Sequence, residues 1–516
     1  MSALENPKRI AKNTIALYFR MLLQMAISLY TARVILSALG DQDYGLYNVV
    51  GGVLAIFTFI NATLIAATQR FISYAIGAGD QQRLQEIVSS AKAIHLLLAG
   101  LTLLIGETIG LWFLNTYINI PAGSEMAANI VYQLSILAAL FSITQVPYTS
   151  MIISYERMEV FAYASIVEAI MKLCIALSLG HFLLHRLEIY ALLTLITSVI
   201  MWLIWRQFCH RNFEVARCRI LLKREAVDEM IRFAGWNTFG ALASSASMHG
   251  INILINIFFG AVVNAARAIA YQVTNTVTQF TNNICLAINP QITQSYAAGN
   301  LSYMHTIIRW GSKISFCLLL IISLPLIIEM PTILTWWLGD YPDYTVILCR
   351  LALVDATIFS ISGSLITGSL ATGKIKRYQI VVGGLYLMLL PVAYVVLKLG
   401  GSPQSTLVVS IIINLTTLVA RLWMLRSMIN LSLRKYLQMV IFPVLIVALL
   451  APILPLLLYP YFEPGVKRFG IILIVSILWS ILVVYFTAFN RDERSKINEL
   501  IKRYLFSATV KTSNNG

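Results

Sequence analysis

The residues able to do chemistry in this sequence stand in stripes along apolar stretches. Arg267, Tyr271, Asn275, Thr278, Asn282 and Asn289 fall within about 80° of arc when plotted at 100° per residue. On the preceding stretch, His249, Asn252 and Asn256 join Thr238 and Ser245 within about 60°. Near the start of the chain, Arg20, Gln24 and Thr31 share a face with Asn13 and Ser28. Buried Asn, Ser and Thr on neighbouring helices also hydrogen-bond one another, which needs no ligand. The arginines separate the two readings. An arginine facing lipid is expensive, and no carboxylate lies one turn from Arg20 to neutralise it. A guanidinium offers a planar fork of donors that matches phosphate oxygens. The pattern therefore predicts a hydrated cavity in which Arg20 and Arg267 hold an anionic group. Arg33 and Arg70 lie nearer the ends of their stretches and read as gates or interfacial anchors, Arg70 as an anchor.

Acidic residues are few. Glu168 and Lys172 are four apart and should pair on one helix face; a proton or sodium site is the alternative for them and for Asp355. Glu107 and Glu329 are further isolated acids. Asp41-Gln42-Asp43 follows the first stretch, and carboxylates two apart can bind a divalent metal or act as a base. Beside Gly40 and Gly45, however, the same residues are ordinary turn chemistry. No large external domain accompanies them, the longest outer loop being about fifteen residues, so a non-enzyme is expected. The 6 histidines show no HExxH spacing and the 6 cysteines no CxxC. No metal and no cofactor is expected.

The elements that must position these residues follow from composition. Of 516 residues, 58% are hydrophobic and only 12% charged, with a mean hydropathy of +0.77. A soluble domain carries roughly 25% charged residues. The chain is therefore expected to be all-α and polytopic, with about fourteen membrane helices, since each crossing takes about 20 apolar residues. The net charge of +15 lies in short loops between spans rather than in one patch. That distribution follows the positive-inside rule and excludes nucleic acid as a partner. It places both termini in the cytoplasm, with the connections holding Arg217 to Arg224 and Lys374 to Arg377 on the same side. The first span is too long for a signal-peptide core and reads as a retained helix.

The chain also repeats itself. "LSALGDQDYG" and "NIFFGAVVNA" align Gly40 with Gly260; "RFISYAIGAGD" and "PQITQSYAAGN" align Asp80 with Asn300 at the same offset of 220 residues. Phe141-Ser-Ile-Thr matches Phe359-Ser-Ile-Ser at an offset of 218. The repeat predicts an N-lobe over 1–208, a basic amphipathic linker over 209–229 and a C-lobe over 230–425. Two extra helices follow over 426–489, then a cytoplasmic tail over 490–516. An even number of spans per half gives parallel repeats, a transporter architecture with the substrate path between two lobes.

Four segments carry a resemblance. Gly40-Asp-Gln-Asp-Tyr-Gly45-Leu-Tyr resembles the LGxxxYGxY element of bacterial polysaccharide flippases, and Arg70-Phe-Ile-Ser-Tyr with Gly77-Ala-Gly-Asp80 resembles another of their elements. Asn264-Ala-Ala-Arg267 and Asn289-Pro-Gln-Ile with Tyr296-Ala-Ala-Gly-Asn300 are similar to elements of the second half. To about Leu425 the chain resembles Wzx-type O-antigen and capsule flippases of the multidrug/oligosaccharidyl-lipid/polysaccharide (MOP) exporter superfamily. The resemblance implies two six-helix lobes around a cavity lined by helices 1, 2, 7 and 8. It also implies transport of a polyprenyl-pyrophosphate-linked glycan across a bacterial inner membrane by alternating access. Partners would be that glycan, membrane lipid, and a polysaccharide polymerase with its chain-length machinery. The alternatives are a drug or metabolite exporter of the same superfamily and a glycosyltransferase using a lipid-phosphate donor.

Overall fold

A computed structural model describes residues 7–117, 120, 123–182, 185–491 and 493–495. The described secondary structure is helical throughout. Twelve helical stretches among these residues are long and apolar enough to cross a membrane. The sequence predicts about fourteen, and two of the helices are far longer than one crossing. Pro7–Ala78 runs for 72 residues and Arg224–Ala297 for 74. At 1.5 Å per residue each would exceed 100 Å if straight, against a hydrocarbon core of about 30 Å. Each leaves helical geometry at one glycine, so that its two arms can cross separately.

Those glycines are Gly40 (φ 78°, ψ 170°) and Gly260 (φ 81°, ψ −175°). A positive φ with an extended ψ is a region that essentially only glycine enters. The turn chemistry between Gly40 and Gly45 predicts a connection over 40–45. The structure needs one residue there, and Asp41-Gln42-Asp43 already begins the second arm.

The other repeat matches are equally visible in the backbone. Asp80 and Asn300 occupy the same capping position: Asp80 Oδ1 accepts from Arg83 N at 2.9 Å, and Asn300 Oδ1 from Tyr303 N at 3.1 Å. Just before them, Gly79 and Gly299 have φ of 69° and 74°. Phe141 and Phe359 lie in the last turns of helices that end at Thr144 and Ser360.

The chain divides into two compact units. The first takes in the chain to Leu242 with Asn283–Met304 and Thr367–Ile380; the second holds Ala243–Asn282, His305–Ile366 and the chain from Val381 onward. In the first, Ile72, Leu84, Val88, Met151 and Trp205 form part of a buried core. In the second, Ala266, Leu319, Leu334, Leu348 and Leu353 do the same. Outside the cores, Leu445, Leu449, Ile474, Leu478 and Phe486 stand open. In so apolar a chain, rows like this are a lipid-facing surface.

The segment after Asn212 is held in place. Lys92, 8% exposed, donates to Ala216 O at 2.6 Å and to Cys218 O at 3.4 Å. Ser89 Oγ donates to Arg219 O at 2.7 Å and accepts from Leu221 N at 2.7 Å. Pinning by these two side chains leaves Ile220, Leu221 and Leu222 pointing outward, each more than half exposed.

Candidate functional site

In the second unit the bend at Gly260 brings two polar stripes together. Arg267 is buried on the second arm; its Nε donates to Asn252 Oδ1 on the first arm at 2.7 Å. Its Nη2 donates to Tyr271 OH at 2.8 Å, one turn along the same arm. The guanidinium carbon also lies 4.6 Å from the Tyr271 ring centroid. Among the described residues no carboxylate lies within ion-pair distance of Arg267, although Asp355 is close enough to interact electrostatically. Neutral oxygens thus satisfy part of the fork while its charge stays uncompensated by direct contact.

Beside this arginine opens a cleft of about 470 Å³, lined by Asn252, Tyr271 and Asn275 with Asn264, Gln272 and Thr276. Three predicted residues therefore share one cleft. Amide and hydroxyl groups dominate its polar lining, a set that can both donate and accept. His249, Asn256 and Asn282 are exposed, and Thr278 is half-buried, with its Oγ1 donating to Asn275 O at 3.1 Å.

Asp355, in the same unit, has its own hydrogen-bond partners. It accepts from Ser410 Oγ at 2.8 Å and from Asn414 Nδ2 at 2.7 Å. Tyr386 OH donates to Asn414 Oδ1 at 3.1 Å and accepts from the buried Arg421 Nη2 at 3.1 Å. Spacing within one span does not reveal this network, because its members come from three helices.

The N-terminal stripe lies in the first unit. Arg20 Nη2 donates to Asn283 Oδ1 at 3.2 Å, and its guanidinium sits 4.9 Å from the Phe161 ring. Gln24 Nε2 donates to Ser165 O at 3.1 Å, while Thr31 is buried. Asn283 was missed in the sequence because it is 100° around the helix from the chosen neighbour Asn282. The side chain of Asn13 lies outside the described residues. Glu168 and Lys172 pair with each other at 2.6 Å, as their spacing predicts. Glu107 accepts from Gln133 Nε2 at 2.9 Å.

Membrane-length helices, two of them bent at matched glycines, with cations held among neutral polar groups, define a polytopic transporter fold. Solved structures agree. A multidrug resistance MATE family transporter of the MOP superfamily, in its outward-facing conformation, superposes with a TM-score of 0.69 at 15% identity, covering 82% of this chain and 96% of that one. A MATE protein in a bent conformation gives 0.68 at 15%, covering 83% and 96%. A MOP superfamily transporter from Pyrococcus furiosus, described for the reverse polarity of its binding pocket, gives 0.67 at 15%, covering 82% and 96%. No curated protein matches the sequence significantly. The chain belongs to the polysaccharide biosynthesis protein family, whose signature matches residues 8–296, more than half its length.

Proposed function

We propose that this protein moves a polyprenyl-pyrophosphate-linked oligosaccharide from the inner to the outer leaflet of a bacterial inner membrane. The observation that carries the reading is the buried Arg267, held by Asn252 and Tyr271 beside an amide-rich cleft. A guanidinium with neutral partners suits a pyrophosphate, and an amide-lined wall suits sugar hydroxyls. Family membership supports a role in polysaccharide assembly. On this reading Arg20 supplies a second cation, transport proceeds by alternating access, and the glycan passes to a polymerase and its chain-length machinery. Asp355 is the acid for coupling to an ion, because Glu168 already has Lys172.

The likeness to a multidrug resistance transporter favours a second reading, export of a soluble amphiphile. Mass spectrometry of lipid-linked glycans after depletion of the protein separates the two. Complete oligosaccharide on polyprenyl pyrophosphate, accumulating on the cytoplasmic leaflet, is the expected result. An unchanged lipid pool supports the exporter, and truncated glycans support a glycosyltransferase.

A further inference from the structure

The first unit holds a second cationic pocket, of about 360 Å³. Arg70, Arg232, Lys374 and Lys376 line it, with Trp236 among its rings. Its one lining carboxylate, Glu229, is taken by Arg83 at 2.8 Å, and Arg232 is paired with Asp228 at 3.0 Å. The described ion pairs leave Arg70, Lys374 and Lys376 without a carboxylate.

Arg70 does not reach outward as an anchor would. Its guanidinium carbon lies 4.5 Å from the Phe71 ring centroid, 4.9 Å from Tyr74 and 5.6 Å from Phe233. Its Nη2 donates to Ala371 O at 3.0 Å. Gly373 makes this possible: a Cβ there would come within 2.6 Å of that nitrogen, and its φ is 73°. Across the pocket, Lys376 Nζ sits 5.2 Å from the Trp236 ring. Aromatic faces thus orient two cations that take part in none of the described ion pairs.

We propose that this pocket binds the phosphate of a lipid headgroup. The apolar surface beside it argues for a lipid rather than a free anion. A neighbouring cleft of about 600 Å³ shares Arg232 and is lined by Leu222, Val227 and Ile231 together with Arg224, Glu225 and Asp228, the last of which is paired with Arg232. Leu222 is 59% and Ile231 54% exposed, and the pinned segment adds the outward Ile220 and Leu221. Cations next to an exposed apolar strip match an amphiphile whose charged end is phosphate. Two sources share that chemistry: an anionic phospholipid, or the polyprenyl pyrophosphate of the transport reading above. The pocket itself does not depend on that reading.

Native mass spectrometry of the full-length protein tests the proposal. The probes are dioleoyl phosphatidylglycerol, dioleoyl phosphatidylcholine, farnesyl pyrophosphate and inorganic pyrophosphate. Wild-type protein should prefer phosphatidylglycerol or farnesyl pyrophosphate over phosphatidylcholine and inorganic pyrophosphate by about tenfold, a difference of about 1.4 kcal/mol. The Lys374→Gln/Lys376→Gln protein should lose that preference, whereas an Arg434→Gln/Lys435→Gln control keeps it. Tighter binding of farnesyl pyrophosphate assigns the pocket to the transported lipid, and tighter binding of phosphatidylglycerol assigns it to a resident one. An undiminished preference in the pocket variant overturns the proposal, as does inorganic pyrophosphate binding as well as its farnesyl ester. Because binding is read without transport, failure here leaves the flippase reading standing, and the reverse also holds.

Discussion

Arg267 donates from Nε to Asn252 Oδ1 at 2.7 Å, and the two residues stand on opposite arms of a helix bent at Gly260. The bond ties the bend to the cleft: any change in the angle between the arms must move or break it. Under the proposed function, Arg267→Ala should therefore reduce glycan export by roughly tenfold or more, since a hydrogen bond to a charged group contributes about 1.5–3 kcal/mol. Arg267→Lys keeps the charge but not the fork and should recover only part of the export. Surface glycan per folded transporter is the measurement. Full activity in both Arg267→Ala and Arg20→Ala would remove cationic recognition from the mechanism.

Gly40 and Gly260 share dihedrals that side chains resist, so alanine at either should cost about 1–3 kcal/mol. Neither site crowds a Cβ, which isolates the backbone term from packing. Asparagine should do no better than alanine, because the ψ values lie outside the left-handed helical well that asparagine tolerates. Thermal unfolding in detergent should show similar losses at the two positions. A neutral effect at one of them would mean that the repeated sequence no longer carries a repeated constraint.

The repeat was legible because it depends on local backbone chemistry: a glycine or a capping side chain acts on its own few residues. Spans and stripes were legible for the same reason, through apolar runs and helical angle. Partnerships between spans were not. Glu329 reads in sequence as an isolated acid, yet it forms a buried pair with Arg468, 139 residues away. Asp355 likewise found Ser410 and Asn414 on another helix, and Arg20 found Asn283 rather than a member of its own stripe. Which face meets which helix is decided by packing, and no periodicity within one span encodes it.

Lys92 should matter to the segment it holds and little elsewhere. Lys92→Met keeps much of the side-chain volume but leaves Ala216 O and Cys218 O without their donor. The expected cost is about 1–3 kcal/mol, local to the contact. Hydrogen exchange over residues 214–222 should accelerate while exchange in the helix Arg186–Asn212 stays unchanged. Uniform acceleration would show instead that Lys92 supports the whole unit.

The last membrane helix is fastened at both ends to the rest of the second unit. At one end Arg468 Nε and Nη2 reach Glu329 Oε1 and Oε2 at 2.9 and 3.2 Å, with Arg468 lying 4.3 Å from the Tyr459 ring. At the other, Lys313 Nζ reaches both oxygens of Glu493 at 2.9 and 2.7 Å. Arg468, Glu329 and Lys313 are buried, so removing one partner strands a charge and should cost about 3–5 kcal/mol. Glu329→Gln should therefore loosen the helix Val466–Val483, and Arg468→Met/Glu329→Leu, which removes both charges, should restore much of the loss. Limited proteolysis in the connection between Leu433–Tyr461 and Val466–Ala488 reads this directly. If Glu329→Gln resists cleavage as well as the wild type, the apolar contacts of this helix hold it without the clamp.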